Sequence, residues 1–133
     1  MLKYIILYTA TLVIFLVIDF IWLNYIAKNV YSSQIGHLLA SKPNLIPALI
    51  FYLLFVVGVL VFAILPGIEA KSLGKTLILG ALFGLLTYAT YDLTNLATLK
   101  DWPLKVTIID LVWGTSVSTV TSLAGYLIAT KLF

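Results

Sequence analysis

The run LIPALIFYLLFVVGVLVFAIL, residues 45–65, decides the fold class: it carries no charge and has Tyr52 as its only polar side chain. A hydrocarbon core about 30 Å thick needs about 20 such residues in one helix, because every backbone N–H and C=O in lipid must be satisfied within the segment. Three further stretches reach that length, residues 4–27, 73–96 and 104–130. The pattern predicts an all-α integral membrane protein, a single transmembrane domain over residues 1–133 folded as a four-helix up-down-up-down transmembrane bundle.

Composition agrees. Hydrophobic residues make up 62% and charged residues 10% of the chain, with a mean hydropathy of +1.14. Soluble domains carry roughly 25% charged residues, so a water-soluble fold is excluded. The net charge of +3 comes from lysines spread singly along the chain, with no arginine. That is a membrane-interface distribution and predicts no nucleic-acid partner. Cysteine is absent, which excludes disulfides and thiolate chemistry, and the single His37 excludes a multi-histidine metal site. No metal and no cofactor are expected. The first apolar segment is too long for a signal peptide, carries Asp19 and lacks a small-residue cleavage site, so it reads as a retained span.

Pro43 and Pro47 mark the start of the second span, Pro66-Gly67 is expected to stop it, and Trp102-Pro103 precedes the fourth. In the long first connection, Tyr31, Ile35, Leu38 and Leu39 recur so as to share one side of a short helix lying in the interface. The lysines are evenly divided between the two sides of the bundle. The terminal side holds them closer to the membrane, which favours cytoplasmic termini.

Two polar stripes stand out. Gly80, Gly84, Tyr88, Asp92 and Asn95 share one face of the third span, and Asp110, Gly114, Ser118, Thr121 and Gly125 share one face of the fourth. Small residues let helix backbones approach closely in lipid, so the two stripes are expected to pack on each other. At about 1.5 Å per residue, Asp19 lies roughly 12 Å, and Asp92 and Asp110 roughly 6 to 9 Å, from the helix ends on the side opposite the termini. Three acids from three helices thus share one shallow layer. A carboxylate near mid-membrane costs about 2.5–3.5 kcal/mol on insertion scales. Each should therefore be neutralised by a proton, by an inward-reaching lysine such as Lys28, Lys100 or Lys105, or by a bound cation. The bland alternative is that they are internal hydrogen-bonding glue.

The candidate ligand or proton site is Asp19, Trp22, Asn24, Tyr88, Asp92, Asn95, Asp110 and Trp113, with His37 and Trp102 as lid candidates. IDFIWLN in the first span and IDLVWGT in the fourth both read Ile-Asp-x-x-Trp. Because the two copies run in opposite directions, Trp22 is expected nearer the surface and Trp113 deeper. Chance and the interfacial preference of tryptophan account for so short a match.

YDLTNLATLKDWP, followed by DLVWG and preceded by the IDFIWLN element, resembles the bacterial family of small predicted membrane proteins called domain of unknown function 2177. The resemblance covers essentially the whole chain. It implies a four-span protein of the bacterial inner (cytoplasmic) membrane and no particular activity or catalytic residue.

Three functions fit these residues. The first is binding or transport of a proton, a cation or a small hydrophobic ligand, with the lipid bilayer and a second copy of the chain as partners. The second is an intramembrane lipid-modifying enzyme or its accessory subunit, using an aspartate as general acid or base; no nucleophile elbow, metal motif or cofactor fingerprint accompanies it. The third is a purely structural membrane component.

Overall fold

The computed structural model describes residues 1–133 and is helical throughout, without a strand. Four helices are long and apolar enough to cross a membrane: Leu2–Ile26, Leu45–Glu69, Leu73–Thr98 and Leu104–Leu132. The first connection holds a short helix, Lys28–Ile35, and a 3-10 turn, Gly36–Leu38.

Local chemistry sets most of the ends. The Asn44 side chain accepts from the Ile46 N–H at 3.1 Å and so caps the second span. Pro47 sits in the first turn, where no intrahelical donor is needed. Ser72 caps the third span by accepting from the Lys75 N–H at 3.0 Å. The turns before the third and fourth spans place Lys71 and Asp101 at φ of 51° and 61°, a left-handed conformation that Asp tolerates better than most residues.

Pro66-Gly67 does not end the second span, contrary to the sequence reading. A π turn at Leu60–Ile64 precedes it, with the Leu65 N–H bonded five residues back to the Leu60 carbonyl, and the helix runs on to Glu69. Pro66 donates no backbone hydrogen bond, and the widened turn lies where its ring would otherwise crowd the carbonyl four residues back. Gly67 supplies room on the other side, since a Cβ there would overlap the Thr76 side chain.

The third and fourth spans pack through their small-residue stripes, as expected. A Cβ on Gly80 would strike Ser122, one on Gly84 would strike Ser118 and the Gly114 carbonyl, and one on Gly114 would strike the Tyr88 ring. These pairings repeat every four residues along both helices and run antiparallel. The first span packs antiparallel to the fourth: Tyr4 meets Phe133 with ring centroids 5.1 Å apart, and Asp19, near the other end, meets Trp113. Between them lies an apolar core of Leu7, Phe15, Phe55, Val56, Val59, Ile64 and Val117. Outward-facing Leu49, Ile50, Leu53, Leu54, Val57 and Val61 of the second span are exposed, as a lipid-facing surface requires.

Threonines and serines divide into two populations. Thr87, Thr90, Thr115 and Thr119 donate back to their own helix carbonyls. Thr11, Ser118, Thr121 and Ser122 are fully buried and make no hydrogen bond. The polar face of the fourth span thus continues inward from Asp110.

Candidate functional site

Every span and the connecting helix contribute to one cavity of about 800 Å³, within the size range of small-molecule sites. Its residues are Asp19, Trp22 and Leu23 from the first span; Lys28, Tyr31, Ser32 and Ile35 from the connecting helix, with Leu39 and Pro43 beyond it; Ala48, Phe51 and Tyr52 from the second span; Thr87, Tyr88 and Tyr91 from the third; and Trp102, Asp110 and Trp113. Eight of these 18 residues are aromatic. Two carboxyl groups face into it.

The two Ile-Asp-x-x-Trp segments meet across this cavity. Trp22 and Trp113 stack with ring centroids 4.2 Å apart and planes 4° from parallel, which corrects the expectation that they lie at different depths. In a helix the Cα–Cβ bond leans toward the N-terminus. On antiparallel helices the two indoles therefore lean toward one another and close the axial gap between their backbones.

Each aspartate is tied to the other segment's tryptophan. The Trp113 Nε1–H donates to Asp19 Oδ1 at 3.4 Å. The Trp22 Nε1–H donates to the Tyr31 hydroxyl at 3.1 Å, and that hydroxyl donates in turn to Asp110 Oδ1. Tyr52 faces Asp19 as well. Burial pushes the Tyr31 phenol well above the usual tyrosine range; the hydrogen bond to Asp110 pushes the same way, and the Trp22 donor opposes it.

Asp92 is set apart from the other two acids. It is 0% exposed, does not line the cavity, and neither carboxyl oxygen has a partner other than the facing Asp110. The expected single layer of three acids is thus two carboxyls on the cavity and one behind. Lys28 lines the rim, but its side chain is exposed. The donors beside Asp19 and Asp110 are indoles and phenols, not lysines.

Residues 4–127 match the family described as Predicted membrane protein (DUF2177). The chain belongs to that family. No curated protein and no solved structure matches it.

In this DUF2177 protein several sequence candidates fall outside the cavity. Asn24 lies in the π turn Trp22–Ile26 and donates to its own helix at the Phe20 carbonyl, 3.0 Å away. Asn95 is absent from the cavity wall and lies four residues beyond Tyr91 on its own helix. His37 is exposed on the 3-10 turn and Leu38 faces outward, because the connecting helix ends at Ile35 and the Tyr31–Ile35 face is not continued. Trp102 does cover the cavity, but as a buried group: its Nε1–H donates to Thr107 Oγ1 at 3.1 Å, and its ring packs on Ile35 and Val106.

Among the cavity residues outside the sequence candidates, Tyr31 and Tyr52 bear directly on the acids. Tyr31 enters the sequence pattern only through its apolar spacing, although it is the one phenol on that helix. Tyr52 belongs to a span whose composition points to scaffold and lipid contact. Its being the sole polar side chain in an otherwise apolar segment is the available signal. No group of three His, Asp or Glu side chains is placed to share a metal ion in this DUF2177 protein.

Proposed function

We propose that this protein binds a small amphipathic organic cation in the aromatic cavity, with Asp19 and Asp110 as its counter-charges. The observation that carries this reading is two buried carboxyls opening onto a cavity of about 800 Å³ walled by tryptophan, tyrosine and phenylalanine. Aromatic faces attract cations through their quadrupole, more strongly where water is excluded. A carboxylate in such a wall supplies the charge that water would otherwise screen. The apolar rings bury the rest of the ligand. Placement of the bundle in a bacterial inner membrane, with alternating helices and both termini in the cytoplasm, belongs to the same proposal; the cavity then opens toward the opposite face.

Titration of the purified protein with tetraphenylphosphonium, followed by intrinsic tryptophan fluorescence, tests the reading. Saturable quenching is expected, with triphenylphosphine oxide, an uncharged analogue, binding more weakly. Asp19→Asn should weaken the cation roughly ten- to hundredfold, the scale of one charged contact. Equal binding of the neutral compound, or quenching that never saturates, would overturn it.

A further inference from the structure

Asp92 is the one carboxyl that the cavity does not explain. Its position follows from the ladder between the third and fourth spans, in which Gly80 meets Ser122, Gly84 meets Ser118 and Tyr88 meets Gly114. The next rung at the same spacing is Asp92 with Asp110, and the two carboxyl groups do face each other. One of the pair opens to the cavity and the other is sealed behind it.

Glue requires a partner, and Asp92 has no tyrosine, threonine, asparagine or backbone donor on either oxygen. An ionised carboxylate so placed loses its hydration without replacement, which costs several kcal/mol. A single proton alters this. A carboxylic acid has an O–H donor, and the Asp110 carboxylate faces it as an acceptor. The titratable groups around the pair are Tyr31 on the connecting helix and Tyr88 and Tyr91 on the third span, with Asp19 and the exposed Lys28 elsewhere on the cavity wall. The only titratable group in direct contact with Asp92 is Asp110.

We infer that Asp92 and Asp110 share one exchangeable proton, which leaves when an organic cation enters the cavity beside Asp110. The exchange balances in charge: one cation enters, the O–H bond between the carboxyls breaks, and the proton passes through the open cavity to bulk water. The cation then stands beside Asp110 with Asp92 directly behind it, and its positive charge takes over from the proton in offsetting both carboxylates. Binding of cation and proton is thereby mutually exclusive, the linkage that a proton-driven exporter of cations needs. The exchange rests on the cation-binding reading above. The shared proton does not.

Two measurements separate them. Infrared spectra of the ligand-free protein at neutral pH should contain the carbonyl stretch of a protonated carboxylic acid, missing from Asp92→Asn and displaced in frequency in Asp110→Asn, where an amide replaces the carboxylate acceptor. Absence of that band in the wild type overturns the shared proton whatever the ligand does. Calorimetric titration with tetraphenylphosphonium in phosphate and in Tris, whose ionisation enthalpies differ, should give release of about one proton per bound cation. Asp92→Asn presents an amide donor to Asp110 as the protonated acid does, so it should fold and bind without releasing a proton. Cation binding in the wild type with no buffer-dependent heat overturns the exchange. An intact infrared band with no tetraphenylphosphonium binding overturns the cation reading, and the exchange with it.

Discussion

Trp22 and Trp113, one from each Ile-Asp-x-x-Trp segment, lie face to face with 4.2 Å between ring centroids and 4° between planes. The contact joins the first and fourth spans at the cavity and orients the two indole N–H groups toward different acids, Asp19 directly and Asp110 through Tyr31. Aromatic pairs contribute about 0.5–1.5 kcal/mol beyond burial. The orientation of the donors is the larger consequence.

Parallel indoles this close couple their electronic transitions. The near-ultraviolet circular dichroism should contain an exciton couplet that Trp22→Phe and Trp113→Phe each abolish and Trp102→Phe leaves in place, since Trp102 packs on Ile35 and Val106 instead. A couplet that survives both replacements contradicts the stack.

The connecting helix is held over the cavity by the Tyr31–Asp110 hydrogen bond and by Ile35 against Trp102 and Val106. Loss of the bond alone should cost about 1–3 kcal/mol. In Tyr31→Phe, amide hydrogen exchange across residues 28–38 should therefore accelerate roughly 5- to 150-fold, with the spans unchanged. Exchange identical to wild type would show the apolar clamp to be sufficient.

Alkaline titration reports the same latch. Burial and the Asp110 partner favour the neutral phenol of Tyr31 in the folded state, so its ionisation is displaced upward from the ordinary value near 10. The stability this contributes is complete below about pH 10 and is lost as pH rises through the higher folded value. The tyrosinate absorbance difference between wild type and Tyr31→Phe should appear only well above about pH 10, and a difference complete near pH 10 would contradict the latch.

Close helix packing makes opposite predictions for neighbouring small residues. Gly84→Ala forces a methyl into Ser118 and the Gly114 carbonyl, and should lower stability by about 1–3 kcal/mol. Gly36→Ala meets nothing within 4 Å and should stay within about 0.5 kcal/mol of wild type. Ser122→Ala removes a buried hydroxyl that has no partner and should stabilise by roughly 1 kcal/mol. Thermal unfolding in one detergent ranks the three.

His37 lies exposed and outside the cavity. His37→Ala should bind tetraphenylphosphonium with wild-type affinity, measured by the same fluorescence titration. A large loss would return His37 to the site.

The sequence by itself determined what helical periodicity and the demands of lipid control. Four charge-poor runs had to become helices because nothing else satisfies a backbone in hydrocarbon. The small-residue faces of the third and fourth spans could be read directly, since residues four apart on one helix must share a face. Those faces in turn carried Asp92 and Asp110 on two helices expected to pack on each other.

Only the tertiary structure decided which polar groups converge. Tyr31 and Asp110 are 79 residues apart, and no local spacing links them. The π turns at Trp22–Ile26 and Leu60–Ile64 are equally invisible to a 3.6-residue period. Each inserts about one residue and so rotates the downstream helix by about 100°; Asn24 falls within the first of them, and Pro66 is carried along the helix by the second. The stacking of Trp22 on Trp113 depended on the direction in which each side chain leans from its own backbone. The sequence could place the acids near one end of the bundle, but the three-dimensional packing decided that two would face a cavity and the third would face only another acid.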